Sequence, residues 1–336
     1  MMFAVQFDRF GPPEVLAVGT AADPHPGPGE VRVAVAAAGV SPVDLALRAG
    51  TSPSRDKLAL PHIPGVDAAG VIDEVGHGVT GVAAGDPVFG AVDVARLGGA
   101  SAQFAVLAFW AAKPDSMSVT EAGAAGTSIE TATRALDALG VAEGATLLVD
   151  GAAGGVGSVA VQLAAARGAR VIATGRPASH AFLAGLGAVP VSYGPGLADR
   201  VRDLGPVDLA LDVAGAGSLG ELVAITGDAA QVVTLADFTG PARGVRLSLG
   251  QYGGQPDGRH GLALAAELSR QGRFQVRVRA VFPAARAAAA HAAAAAGPRQ
   301  GKVILDVTSC THAPNATPRR PRFSGTRRQS PRNRSE

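Results

Sequence analysis

One segment constrains the fold of this chain more than any other. Residues 146–174 read TLLVDGAAGGVGSVAVQLAAARGARVIAT. Thr146–Asp150 is a short apolar strand, Gly151–Gly157 a glycine-rich turn, Val156–Arg167 a helix stopped by Gly168, and Arg170–Ala173 a second strand. A strand, a tight turn, a helix and a strand in so few residues form a parallel crossover, which packs right-handed on its sheet. Ala152, Gly154 and Gly157 occupy the three small positions of a dinucleotide fingerprint, with alanine at the first. Gly154 lets the backbone approach a pyrophosphate, and Gly157 lets the helix lie close to the strand. The helix start, with Gly155 and Val156, offers free N–H groups to the phosphates.

The end of the second strand bears on which dinucleotide fits. An acidic residue there would bond the ribose hydroxyls of NAD, but the sequence runs Thr174, Gly175, Arg176, with no acid until Asp199. Arg176 offers a planar fork to a 2′-phosphate and Tyr193 a hydroxyl from the next strand end, while His180, at the start of the following helix, is read as a surface position rather than a further phosphate ligand. The cofactor expected is NADPH.

The rest of the chain supports an α/β protein with a doubly wound parallel sheet. Glu121–Leu139 has helical spacing and Gly140 is a stop. Strand and helix alternate on through Val207–Leu211, Leu219–Ile225 and Gln231–Leu235. Gln275–Phe282 alternates as a strand, followed by an Ala-rich helix and a last strand, Lys302–Val307. The first hundred residues instead read as short strands, Met2–Phe7, Val31–Ala36, Val71–Val75 and Val88–Phe89, separated by turns such as DPHPGPGE.

Composition excludes several classes. At 336 residues, two domains are expected, and 47% hydrophobic residues supply ample core. A single cysteine, Cys310, excludes a disulfide within one chain and a multi-cysteine zinc site. No uncharged apolar run reaches 18 residues, and Asp8 and Arg9 interrupt the start, so neither a membrane span nor a signal peptide is expected. The reading is a cytoplasmic protein. Seven arginines and one glutamate lie beyond Val307, so the folded part is net acidic, and residues 308–336 are expected to be a disordered tail. Clustered arginine attracts phosphate, but Phe323 is its only aromatic neighbour, so nucleic acid is not the expected partner.

Further motifs carry a family resemblance. FGPPEVL (Phe10–Leu16), PGPGEVRV, AAGVSPVDLALRAG (Ala37–Gly50), PGVDAAGVIDEVGHGVTGVAAGDPVFG (Pro64–Gly90), the glycine turn and GKVIL (Gly301–Leu305) occur in one order. Together they resemble the zinc-independent quinone oxidoreductase (zeta-crystallin-like) branch of the medium-chain dehydrogenase/reductase superfamily. The resemblance implies a GroES-like β-rich catalytic domain, residues 1–117 with 275–307, and an inserted Rossmann-type NADPH domain, residues 118–274. It also implies a cleft where nicotinamide meets substrate, and a homodimer paired through edge strands.

Zinc-dependent relatives place Cys near Ser41 and His–Glu near Val66–Asp67, and the serine and valine here cannot replace a thiolate and an imidazole. No metal is expected. An acceptor that delocalises its own charge remains, a quinone or an activated alkene such as an α,β-unsaturated carbonyl. By the resemblance, Ser41 and Thr131 line the cleft as catalytic and cofactor-contacting hydroxyls. Val213 (in DVAG), Leu235 (in TLADF) and Lys302 approach the cofactor. Asp44 and Arg48 are read as supporting their loop. Branch members carry Asn at the position of Ser41 and Tyr near Ala46, and both are absent here. The alternative from another class is an NADPH-binding sensor or nucleic-acid-associated protein with little turnover.

Overall fold

The computed structural model describes residues 1–250, 254–296 and 300–310, whose strands form three sheets. The first stretch runs β1 (Met2–Gln6), β2 (Ala17–Ala21), β3 (Val31–Val40), α1 (Pro42–Ala49), β4 (Asp67–Val75), β5 (Pro87–Ala91), β6 (Phe104–Leu107) and β7 (Phe109–Ala112). In β3 alternate residues are buried until Ala37, after which every residue is, as expected of a strand that passes from a half-wet face into the core. β1 and β2 form an antiparallel ribbon of their own.

The middle runs α2 (Val119–Ala122), α3 (Gly126–Leu139), β8 (Thr146–Asp150), α4 (Gly155–Ala166), β9 (Arg170–Gly175), α5 (His180–Gly185), β10 (Val189–Ser192), α6 (Leu197–Arg202), β11 (Leu209–Asp212), α7 (Leu219–Thr226), β12 (Val232–Thr234), β13 (Arg246–Leu247) and α8 (His260–Arg270). Its six strands are all parallel in the order β10-β9-β8-β11-β12-β13. The order reverses between β8 and β11. The carboxyl ends of those two strands therefore open a crevice, the usual ligand position in such a sheet.

The last stretch, β14 (Val278–Pro283), α9 (Ala287–Ala295) and β15 (Lys302–Asp306), returns to the first sheet. β15 pairs antiparallel with β3 and parallel with β14, giving the order β14-β15-β3-β4-β5-β7 with β6 also on β3. One apolar cluster joins α3, α4 and α8 to the parallel sheet and reaches Ala37, Ala69 and Phe89 of the antiparallel sheet. A second fills the inside of the antiparallel sheet, and a third lies under α6 and α7.

Three expectations are corrected. The helix expected over Glu121–Leu139 is two helices, because two backbone approaches interrupt it. A Cβ on Gly123 would lie 2.7 Å from Ala37 O, and one on Gly126 would overlap Gly90 O. Gly140 does stop α3, in the left-handed conformation at φ 67°. The strand expected from Gln275 begins at Val278, since the backbone of Gln275 is bonded to the side chain of Gln162 on both sides, at 2.8 and 3.0 Å. At the start of the segment expected to be a disordered tail, Thr308–Cys310 instead form a 3-10 turn in which Asp306 Oδ1 accepts from Thr308 N at 3.0 Å. The remainder of that tail lies outside the described residues. Among the described residues no helix is long and apolar enough to cross a membrane.

Candidate functional site

The glycine turn is built by close approach. A Cβ on Gly157 would lie 2.7 Å from Ala152 Cα and closer still to Gly151 O, so α4 can pack on the turn only through a residue without a side chain. Gly151 has φ 83° and donates to Thr174 Oγ1 at 3.0 Å. The Thr174 hydroxyl donates in turn to Asp150 Oδ1, whose other oxygen accepts from Ser218 Oγ at 2.6 Å. This network ties the ends of β8 and β9 to the loop before α7.

The turn faces a cleft of about 1170 Å³ between the two large sheets. Gly154, Gly155 and Val156 line it, as do Thr174, Arg176 and Tyr193. Arg176 Nε donates to Tyr193 OH at 3.3 Å. Ser128 also lines the cleft; its hydroxyl is buried without a partner, and a Cβ on Gly155 would lie 3.3 Å from it. An orphaned hydroxyl beside a glycine at a helix N-terminus fits the phosphate-bearing part of a dinucleotide.

Beside the turn, where a Cβ on Gly155 would lie 3.3 Å from Lys302 Cε, three adjacent strand ends converge. The antiparallel register pairs Val303 with Val40, which sets Lys302 against Ser41, and pairs Gly39 with Asp67. Lys302 Nζ donates to Asp67 Oδ2 at 2.6 Å and to Ser41 Oγ, and the Ser41 hydroxyl donates to Asp67 Oδ2 at 3.1 Å. Asp67 Oδ1 accepts from Thr127 N at 2.5 Å and from the Thr127 hydroxyl, in the first turn of α3, where the helix dipole favours an anion. Asp67 is fully buried and Lys302 is 8% exposed. Lys302 and Ser41 line the cleft. The two bonds above use two of the three ammonium N–H groups.

Asp44 anchors α1 behind this cluster. Its carboxylate accepts from Ser41 N at 2.7 Å and Gly65 N at 2.9 Å. Burial pushes its pKa up to about 6, although the two backbone bonds and the Lys302 charge favour the ionised form.

The remaining expected site residues divide. Val213 lines the cleft beside the end of β11. Ala152 is fully buried, where its N–H bonds Thr174 O at 3.2 Å, and Gly157 is buried in α4. Leu235 is not among the cleft-lining residues; it packs on the core, its N–H bonded to Asp212 O at 2.9 Å. Thr131 is not among them either. It lies one helical turn beyond Thr127, its hydroxyl donating to Glu130 Oε2 at 3.1 Å and accepting from Arg134 at 3.4 Å. The hydroxyls that α3 presents to the cleft are those of Thr127 and Ser128. They precede Thr131 by one turn, and the helix break at Gly123–Ala125 that sets this phase depends on contacts no periodicity reveals. His180 Nε2 lies 3.4 Å from Gly175 O and is not on the cleft. Arg48, read as a loop support, is on it.

Comparison with known proteins agrees with this geometry. The alcohol dehydrogenase GroES-like domain family matches residues 27–136, and the zinc-binding dehydrogenase family matches residues 186–305. The chain is 36% identical over 191 residues to a 2-methylene-furan-3-one reductase of Solanum lycopersicum, covering 54% of this chain and 44% of that protein. It is 36% identical over 178 residues to the quinone oxidoreductase of Sus scrofa, covering 52% and 53%. The chain thus spans about half the length of the curated relatives it matches. A crystal structure of an NAD-dependent alcohol dehydrogenase superposes with a TM-score of 0.76 at 30% identity, over 91% of this chain and 100% of that one. The chain is a medium-chain dehydrogenase/reductase. In this medium-chain dehydrogenase/reductase the glycine turn and the Ser41–Asp67–Lys302 cluster lie side by side on a single cleft, where a Cβ on Gly155 would stand 3.3 Å from Lys302 Cε.

Proposed function

We propose that the protein is an NADPH-dependent oxidoreductase that reduces a quinone or an α,β-unsaturated carbonyl without a metal ion. The observation that carries this reading is the ammonium of Lys302, held by Asp67 and Ser41 on the cleft that the glycine turn also lines. The glycine turn would hold NADPH, with Arg176 and Tyr193 at its 2′-phosphate, and the bound cofactor would supply a hydride. The remaining tasks belong to the chain. Lys302 and Ser41 present N–H and O–H groups to the acceptor's carbonyl oxygen, where negative charge develops as the hydride arrives. Asp67 holds Lys302 in place, and the Ser41 hydroxyl, bonded to both, can pass one proton to the reduced acceptor. One hydride and one proton together give either the saturated carbonyl from the enone or the hydroquinone from the quinone.

The same cluster argues against zinc at this position. Ser41 and Val66 are poor donors for the ion, and the one carboxylate, Asp67, already carries a cationic partner in Lys302. Among the described residues no group of three or more His, Cys, Asp or Glu is arranged to hold a metal. The homodimer expected from the family accords with β13, which ends the parallel sheet with one pairing neighbour, β12, among the described residues.

The test is the rate of NADPH oxidation with matched quinones and 2-alkenals. Turnover that a Gly157→Trp block abolishes and Lys302→Met lowers by about 10²-fold, the scale of one lost oxyanion donor, is the expected result. Arg176→Ala should weaken NADPH far more than NADH. No turnover with any acceptor despite tight NADPH binding would overturn the reading.

A further inference from the structure

Arg48 is an unexplained cation. It sits in the last turn of α1, lines the cleft, and is 6% exposed, yet its Nε and Nη1 are buried without a hydrogen-bond partner. Among the described residues it makes no ion pair. Glu14 is the acid whose field reaches it, and the two do not meet. Behind it lies His291 of α9, 1% exposed, with its Nδ1 also unpartnered. Burial and the Arg48 charge hold the His291 pKa down at about 4, so the ring is neutral at physiological pH and adds no second charge. Buried guanidinium donors are ordinarily satisfied, and an uncompensated buried charge costs several kcal/mol. A cation left in this state on a ligand cleft is poised for an anion.

We propose that Arg48 recognises a carboxylate or phosphate carried by the acceptor, so that the substrate is an acidic rather than a neutral carbonyl compound. This rests on the reading of the cleft given above. Ser41 caps the start of α1 and Arg48 closes it, seven residues on. At about 1.5 Å per residue that places their backbones roughly 10 Å apart along one helix. The long Arg side chain, leaning back toward the helix start, shortens the span. An acceptor of medium length thus reaches both ends, its carbonyl at Ser41 and Lys302 and its acidic group at Arg48. The guanidinium supplies two parallel N–H donors, the geometry that a carboxylate or phosphate accepts best.

The experiment compares two probes by calorimetry, with and without NADP⁺, so that binding is read apart from turnover. One is a methyl-ketone enone with four methylenes between its alkene and a terminal carboxylate; the other is its primary amide. A matched pair ending in phosphate and in methyl phosphate triester separates the two acidic groups. The wild-type protein should bind at least one acid about tenfold or more tighter than its neutral partner. Arg48→Met should remove that preference and Arg48→Lys should restore part of it. No preference in the wild type, or a preference that survives Arg48→Met, overturns the proposal. A loss of NADP⁺ affinity in Arg48→Met matching the loss for the acid also overturns it, by assigning the anion to the cofactor. A preference present without any turnover would leave this inference standing and remove the proposed activity instead.

Discussion

Lys302 Nζ lies 2.6 Å from Asp67 Oδ2, and neither residue is appreciably exposed. Two opposite charges taken out of water together lose much of their hydration, which only good geometry and further hydrogen bonds offset. Here Ser41 and Thr127 complete the set around Asp67. The pair is therefore asymmetric in what it tolerates: both partners can be replaced more safely than one.

In urea unfolding, Asp67→Asn and Lys302→Met should each cost about 3–5 kcal/mol, the usual scale for orphaning one buried charge. The double variant should cost less than the sum of the two. Additive costs would show that the pair is not coupled.

Gly157→Ala should nearly abolish dinucleotide binding. Its methyl group would stand 2.7 Å from Ala152 Cα, backbone that cannot yield without moving the turn from α4. Titration of reduced-nicotinamide fluorescence should show at least a tenfold weaker Kd. An unchanged Kd would mean that the cofactor does not depend on this approach.

Ser128 and Thr131 separate the two faces of α3. Ser128→Ala removes an orphaned hydroxyl on the cleft, and Thr131→Ala one already bonded to Glu130. Cofactor affinity should fall several-fold in the first and change little in the second, as measured by the same titration. The reverse order would place Thr131 on the ligand after all.

Asp44 and His291 should give opposite pH dependences of stability. Asp44 holds its proton up to about 6 in the folded state and near 4 when unfolded, so it contributes stability at low pH that is lost as pH rises across that window. His291 stays neutral down to about 4 when folded but takes a proton near 6.5 when unfolded, so it costs stability as pH falls through the same range. Relative to wild type, Asp44→Asn should make stability rise more steeply with pH between about 4 and 6, and His291→Phe should make it rise less. Each pKa step of one corresponds to about 1.4 kcal/mol. Parallel stability curves for wild type and either variant would show that the group does not titrate as described.

The local parts of the site were legible without coordinates. The strand, the glycine turn and the helix are neighbours in sequence, and the small residues needed at Gly154 and Gly157 follow from what must approach them. Alternation of apolar residues likewise marked the start of β3, since a strand's two faces can be told apart by a period of two, whereas β8 and β9 were marked as short apolar runs bounded by turns. The phase of α3 was not legible, because Gly123 and Gly126 break the helix only through contacts with Ala37 and Gly90 on other strands. Thr131 had been expected on the cleft from the family resemblance, and Ser128 lines it instead.

Periodicity says which face of a strand is buried but not which strand lies beside it. Ser41, Asp67 and Lys302 are far apart in the chain, and they meet because β15 pairs with β3 at Val303–Val40 while β3 pairs with β4 at Gly39–Asp67. Those registers are settled by burying the inner faces of β3, β4 and β15 at once in a shared core, a condition on the whole sheet that no single segment carries. The sequence by itself determined the nucleotide turn; the tertiary structure alone placed a lysine against a buried aspartate beside it.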